Sequence, residues 1–179
     1  MNVFAIRHGE TAWSLSGQHT GTTDIPLTET GRRLAEQMRP VLAKQAFTLV
    51  LVSPMQRARE TCALAGLGDV AVIDSDLAEW NYGEYEGLTP KQIHEMAPGW
   101  LIFRDGCPGG EAPEQVGARV DRVIARARGA DGDVALFPTD MCCAPWWHGG
   151  LGCPPALANI SCSIPAPCAS LATTATYLL

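Results

Sequence analysis

Charged residues are missing from the C-terminal part of this chain. Residues 141–179 contain no Asp, Glu, Lys or Arg, although 18% of the whole chain is charged. Five of the seven cysteines and six of the thirteen prolines lie after Phe137. Prolines and glycines interrupt every apolar run there, which argues against a membrane anchor. The five cysteines include no CxxC pair, which argues against a structural metal site.

Positive charge is also in short supply. The 179 residues carry a formal net charge of −6, which argues against a general nucleic-acid-binding surface. An anionic substrate would therefore have to be held by locally placed arginines. The N-terminus begins with a strand-like run and lacks the order of a signal peptide. We therefore expect a cytoplasmic protein, in which Cys62 and Cys107 are reduced thiols.

Strand-like and helix-like segments alternate along the chain up to Phe137, which predicts an α/β domain with a mainly parallel sheet. The predicted strands are Asn2–His8, Phe47–Ser53, Val70–Ile73 and Asp133–Phe137. The predicted helices follow an N-cap at Thr28 and capping boxes at Ser53 and Thr89, and a fourth covers Glu111–Arg128. Ligands of such sheets bind beyond the carboxyl ends of the strands. The residues after the first two strands are therefore predicted to meet there.

Three side chains could supply phosphoryl-transfer chemistry at that edge. A neutral imidazole, such as that of His8, is a competent nucleophile toward phosphorus. Arg57 lies in the first turn of a predicted helix, where backbone N–H groups and a guanidinium together favour an anion. Glu79 stands beside Trp80 and Tyr82, a setting in which a carboxyl can act as a general acid. Each residue taken alone is more simply explained as a polar surface side chain.

Five stretches of the sequence occur in an order that is typical of one family. They are RHGETAW, GTTDIPLTETG, SPMQRARET, LAEWNYGEYEG and DGCPGGEAPEQVGARVDRV. Together they cover nearly all of the chain up to Phe137, and in this order they resemble the histidine phosphatase superfamily, also called phosphoglycerate mutase-like. The first stretch is highly specific, and the ordered set is very unlikely to arise by chance.

The resemblance implies a three-layer α/β sandwich with helices on both faces of the sheet, and it implies covalent catalysis. The histidine would be phosphorylated, the arginines would hold the phosphoryl group, and the glutamate would protonate the leaving oxygen. The site residues that it implies are the nucleophile His8, the acid Glu79, the phosphate ligands Arg7 and Arg57, and the substrate-contact residues Thr20 and Gly21. It implies no metal and no cofactor, and its partner is a small phosphorylated metabolite, with neither a nucleic acid nor a membrane involved.

The family's second pocket histidine is absent from its expected place directly after Phe137. The sequence there is PTDMCCAPWW, and His148 fits the role neither in spacing nor in neighbours. Codons read one base out of frame permit Ser-His-Gly-His at this point and then allow only Val and Leu across Met141–Cys143. We therefore expect a single-base deletion near the codons of Phe137 and Pro138. The domain would then be 1–137, followed by an aberrant tail, 138–179, in which the last helix and strand of the core are lost.

Hydrolysis of sugar-phosphate-like esters is the function that the sequence favours. Phosphoglycerate mutases usually carry Arg directly after the acid Glu, whereas here Trp80 follows Glu79, and only Lys91 and Arg104 are cations between that point and Pro113. A phosphoglycerate mutase and a non-catalytic protein that binds a phosphate ligand are the alternatives, the second if the tail is genuine. Loss of one pocket donor and of core elements predicts weak or absent activity and poor solubility for this chain.

Overall fold

Short apolar segments, separated by helices, build a sheet at the centre of the molecule. The computed structural model describes residues 1–139, 162–163 and 174–178. Its strands are β1 (Asn2–Ile6), β2 (Phe47–Val52), β3 (Val72–Ile73), β4 (Asp133–Phe137), β5 (Cys162–Ser163) and β6 (Thr174–Leu178). The described strands are ordered β3-β2-β4-β1-β6-β5. All neighbours pair in parallel except β5, which runs antiparallel to β6.

The chain after Phe137 contributes to the sheet, which corrects one expectation. The last strand of the core is expected from the sequence to be lost, but β6 pairs in parallel with β1, placing Asn2 opposite Thr174 and Ile6 opposite Leu178. An uncovered edge of β1 would leave backbone N–H and C=O groups unpaired, and the run TATYL contains Thr and Tyr residues that favour strands. The described residues do not include His148 or the tail cysteines other than Cys162. The expected loss of the last helix also concerns residues outside the described ranges.

Helices lie in the connections between the strands. Those in the described residues are α1 (Ala12–Ser16), α2 (Glu29–Leu42), α3 (Gln56–Leu64), α4 (Pro90–Met96), α5 (Ile102–Asp105) and α6 (Pro113–Arg128). The predicted N-cap of α2 is confirmed, because Thr28 Oγ1 accepts a hydrogen bond from the backbone N–H of Gly31 at 3.0 Å. The predicted capping box of α4 is confirmed as well, with Thr89 and Gln92 bonded to each other's backbone. None of the helices in the described part of the chain is long and apolar enough to cross a membrane.

Several element boundaries differ from the prediction. Helix α3 begins at Gln56, and its N-cap is Met55 rather than Ser53. The hydroxyl of Ser53 accepts from the backbone N–H of Met55 at 3.4 Å, ahead of the helix, and lies 3.0 Å from the hydroxyl of Thr139. The third strand is only two residues long, since Gly68–Val70 forms a 3₁₀ turn. Helix α6 begins at Pro113, two residues later than predicted.

Side chains on the two faces of the sheet belong to two separate cores. On one face Val134 and Leu136 pack with the buried side of α6 and with Ile93 of α4. On the other face Ala135 and Phe137 pack with residues of α2 and α3. This alternation along β4 is the two-residue period of a strand that is buried on both faces. The expected three-layer α/β fold is thus confirmed, and it leaves the carboxyl ends of β1, β2 and β4 side by side.

Candidate active site

His8 lies two residues beyond the end of β1, in a turn that is packed tightly against α2. The backbone N–H of Gly9 donates to Thr61 Oγ1 at 3.0 Å. A Cβ atom at Gly9 would lie 2.5 Å from the carbonyl oxygen of Gly31, so only glycine fits this close approach of two backbones. The turn that carries His8 is therefore fixed by contacts from both α2 and α3.

The hydrogen bonding of His8 determines which ring nitrogen is available. Its Nδ1 lies 2.8 Å from the carbonyl oxygen of Gly9. A carbonyl can only accept, so Nδ1 carries the proton and Nε2 keeps its lone pair. Burial lowers the pKa of the His8 imidazole to about 4, the bond to Gly9 opposes this shift, and the charges of Arg57 and Arg7 reinforce it. The ring is therefore neutral near pH 7, which is the form that can attack phosphorus.

Arg57, in the first turn of α3, is completely buried. Its guanidinium donates to the carbonyl oxygens of Thr23 at 3.1 Å and Gly21 at 3.2 Å. Burial lowers the pKa of Arg57, and Glu79 is the largest of the influences that raise it. An arginine stays charged in proteins. Its Nε has no hydrogen-bond partner among the described residues, which leaves a buried donor for an anion.

The loop that holds Arg57 is itself fixed by Glu86. One carboxylate oxygen of Glu86 accepts from Thr22 Oγ1 at 3.0 Å, and the other accepts from the backbone N–H of Thr23. Gly21 has a φ of +52°, and a Cβ atom there would lie 2.6 Å from Glu86 Oε2. The loop is thus tied both to Glu86 and to Arg57, and its conformation requires glycine at position 21.

Glu79 lies beside Arg57, in the segment that follows the 3₁₀ turn Ser75–Leu77. Its Oε2 is 3.8 Å from the Arg57 guanidinium, and its Oε1 accepts from the backbone N–H of Trp80 at 3.2 Å. The Glu79 side chain is only 10% exposed. The next residue, Trp80, is fully buried in the core and so anchors the segment.

The remaining predicted site residues differ in what they contact. Arg7 is exposed and lines, together with His8, a pocket of about 280 Å³ whose other wall is formed by α1 and α2. Gly21 supports Arg57 through its carbonyl, as described above. Thr20 contributes a carbonyl that accepts from the backbone N–H of Thr23 at 3.3 Å, a bond inside the loop. The structure thus brings His8, Arg57 and Glu79 together, with Arg7 beside them and Thr20 in the supporting loop.

Thr139 occupies the position at which the out-of-frame reading places the second histidine. It is 2% exposed, and its hydroxyl lies 3.0 Å from Ser53 Oγ and 3.3 Å from the carbonyl oxygen of Leu77. Since Leu77 precedes Glu79 by two residues, a side chain at position 139 borders the same site. The threonine side chain is shorter than that of histidine, and its hydroxyl is a weaker hydrogen-bond donor than an imidazole N–H.

Two contributors to the site were not identified from the sequence. Glu86 lies in the stretch GEYEG, where its acidic neighbour Glu84 is equally conspicuous, and only the fold shows which of them faces the loop. Asp24 accepts a hydrogen bond from the backbone N–H of Gln56 at 2.7 Å and so satisfies the N-terminus of α3 next to Arg57. Across the described residues, no group of three or more His, Cys, Asp or Glu side chains is arranged to hold a metal ion.

A known protein family matches most of the chain. The histidine phosphatase superfamily (branch 1) matches residues 3–138. The chain belongs to this superfamily.

Three known proteins illustrate the similarity. An acid phosphatase of Mycobacterium tuberculosis is 48% identical over 127 residues, which cover 70% of this chain and 62% of that protein. The sedoheptulose 1,7-bisphosphatase of Saccharomyces cerevisiae is 40% identical over 144 residues, which cover 68% of this chain and 53% of that protein. Among solved structures, a mycobacterial glucosyl-3-phosphoglycerate phosphatase in complex with VO3 superposes with a TM-score of 0.72 at 29% identity, covering 86% of this chain and 83% of that one. The chain thus spans less than two thirds of the length of the two curated relatives.

Proposed function

We propose that this chain is a phosphomonoester hydrolase that acts through a phosphohistidine intermediate on small phosphorylated metabolites, with sugar phosphates as the preferred class. The observation that carries the proposal is the state of His8. Its Nδ1 is committed to the carbonyl of Gly9, its burial keeps the ring neutral, and its Nε2 is free to act as a nucleophile. The charge of the buried Arg57 guanidinium acts on His8, and among the described residues its Nε has no hydrogen-bond partner.

The proposed reaction has two steps that together consume one water molecule. In the first, Arg7 and Arg57 hold the phosphoryl oxygens, and Nε2 of His8 forms a bond to phosphorus while the ester P–O bond breaks. Glu79 gives its proton to the departing alkoxide. In the second, water attacks the phosphorus, Glu79 takes the proton of that water, and the P–N bond breaks. Inorganic phosphate leaves, and His8 is neutral again.

The bond between His8 and Gly9 supports both steps. Once Nε2 carries the phosphoryl group, the ring bears positive charge, and the carbonyl oxygen of Gly9 stabilises that charge through Nδ1–H. The same bond holds the ring in one orientation before the attack.

We expect the activity of this chain to be impaired. The family's second histidine would donate to an equatorial phosphoryl oxygen, and Thr139 stands in its place. Loss of one preorganised donor typically lowers the rate roughly a hundred- to a thousandfold. The site residues of the first step are all still present.

The surroundings of Glu79 favour hydrolysis over a phosphoglycerate mutase reaction. A mutase has to hold a second phosphate, which requires further cations near the acid. Trp80, where mutases usually carry Arg, is buried and donates its indole N–H to the carbonyl of Glu111 at 3.1 Å. The side chains of Lys91 and Arg104 are exposed and are paired with Glu95 and Asp105. A mutase would require turnover that depends on 2,3-bisphosphoglycerate, which assays with and without that compound would detect.

The names of the relatives support a sugar-phosphate substrate. Two of the three known proteins described above are named for a phosphorylated sugar or a glycosylated phosphoglycerate. A cytoplasmic location stays a prediction from the sequence.

Transfer of labelled phosphorus to His8 tests the proposal. The chain, in molar excess over a ³²P-labelled ester, is quenched in alkali, in which phosphohistidine survives. We expect label in the wild type and in His94→Asn, an exposed histidine on α4, but none in His8→Asn. Label that persists in His8→Asn, or ester hydrolysis without any labelled protein, would contradict the proposal. A chain that binds the ester but neither hydrolyses it nor acquires label would support a non-catalytic binding protein.

A further inference from the structure

A partly buried ion pair lies directly behind the segment that carries Glu79. The guanidinium of Arg119, on α6, donates from Nε to Glu111 Oε1 at 3.1 Å and from an Nη to Glu111 Oε2 at 3.3 Å. The side chains are only 8% and 22% exposed, respectively. A bidentate pair of this kind fixes both position and orientation.

This ion pair holds the main chain on both sides of Glu79. Upstream, Arg119 donates from its other Nη to the carbonyl oxygen of Asp76 at 3.0 Å. Downstream, Glu111 Oε2 accepts from the backbone N–H of Asn81 at 2.8 Å. The backbone of Glu111 also donates to the carbonyl of Asn81 at 2.9 Å, and its carbonyl accepts from the Trp80 indole. The span from the Asp76 carbonyl to the Asn81 N–H, with four residues between them, is therefore held at both ends by one pair of side chains.

We propose that Glu111 and Arg119 are a positioning pair, which holds Glu79 at the place from which it protonates the leaving group. The inference rests on the proposed function, because it assigns a role to the support of the proposed acid. Both residues act through the backbone of the segment that they clamp. A shift of about 1 Å in a catalytic group is enough to lower a rate by about a hundredfold.

The dependence on the leaving group distinguishes this role from a general structural one. An alkoxide is a strong base and needs the proton of Glu79, whereas p-nitrophenolate leaves without one. A displaced acid therefore slows phosphoryl transfer from an alkyl ester and leaves transfer from p-nitrophenyl phosphate unchanged. A disturbed phosphate pocket, or a partly unfolded chain, slows both.

The experiment compares single-turnover transfer to His8 from p-nitrophenyl phosphate and from glycerol phosphate, with the protein in excess. We expect Glu111→Gln and Arg119→Gln each to lower the rate for glycerol phosphate by roughly 10- to 100-fold, part of the contribution of a general acid. The rate for p-nitrophenyl phosphate should stay unchanged. The rate for glycerol phosphate should fall little further in the double variant than in either single variant, because the two residues act as a unit.

Two further variants serve as controls. Arg119→Lys keeps the charge and part of the hydrogen bonding, so it should recover part of the lost rate even if Arg119→Gln fails to fold. Glu114→Gln, at an exposed position in the first turn of α6, is the matched control for Glu111→Gln and should change neither rate. Equal losses with both esters, or full activity of Glu111→Gln with glycerol phosphate, would overturn the positioning role. A wild type that never labels His8 would overturn the proposed function itself, and this role with it.

Discussion

The His8 imidazole should stay uncharged down to about pH 4, and this can be measured whether or not the chain turns over a substrate. Burial is the main cause of the lowered pKa, and Arg57 and Arg7 add to it. The shift from 6.5 to about 4 corresponds, at 1.36 kcal/mol per pKa unit, to about 3 kcal/mol of folding free energy.

The sign of the effect on stability follows from proton binding. Between pH 6.5 and pH 4 the unfolded chain binds a proton at His8 that the folded protein does not bind. The free energy of unfolding therefore falls as the pH falls through this window, and it rises again when the pH is raised. In His8→Asn this contribution disappears, so the difference in unfolding free energy between wild type and variant should change by about 3 kcal/mol between pH 7 and pH 4.

Urea unfolding of both proteins at several pH values provides the measurement, and an NMR titration of the ring nitrogens gives the pKa directly. Replacing Arg57 with Gln should raise the His8 pKa, because a nearby positive charge is removed. Arg59→Gln, an exposed residue of the same helix, is the matched control and should leave it in place. An imidazole that titrates near 6.5 in the folded wild type would refute the reasoning, since burial would then have no effect on it.

Two further predictions concern the turn of His8 and position 139. Gly9→Ala should lower the free energy of unfolding by about 1–3 kcal/mol, because its Cβ would lie 2.5 Å from the Gly31 carbonyl oxygen. Gly129→Ala, whose Cβ would have its nearest neighbour at 3.6 Å, is the control. Equal free energies of unfolding of the two variants in urea would contradict this prediction. Thr139→His should raise the rate of phosphoryl transfer to His8, by up to roughly a hundredfold, because it returns a donor to the site. Thr139→Asn lacks the ring, and a rate as high as that of Thr139→His would count against the missing-histidine explanation.

The convergence of the main site residues could be predicted from the sequence because it follows from the topology. Strands β1 and β2 flank β4 in a parallel sheet, so the residues after their carboxyl ends must share one edge. Local patterns such as the N-cap Thr28 and the capping box at Thr89 were predictable for a similar reason, since both depend on residues three apart.

The supporting contacts could not be predicted, because they join residues that are far apart in the chain and interchangeable in type. Arg119 is one of several arginines on α6, and nothing in the spacing distinguishes it from Arg122 or Arg126, which pair with Asp76 and Asp74. The sequence pattern predicts Ser53 as a helix cap, whereas in the fold its hydroxyl lies 3.0 Å from that of Thr139, which follows the end of β4. The pairing of β6 with β1 joins residues more than 170 positions apart, so no local pattern predicts it.

The burial of Arg57 links the stability of the fold to its chemistry. A fully buried guanidinium is unfavourable unless its donors are satisfied, and here two carbonyls and the nearby Glu79 carboxylate satisfy only part of them. The Nε donor, which has no partner in the described part of the chain, is therefore unfavourable in the free protein, and a bound phosphoryl group would satisfy it. Because the carbonyls of Gly21 and Thr23 already hold the guanidinium in place, binding of a phosphoryl group requires little reorientation of it. Phosphate should accordingly raise the melting temperature of the wild type more than that of a variant in which Arg57 is replaced.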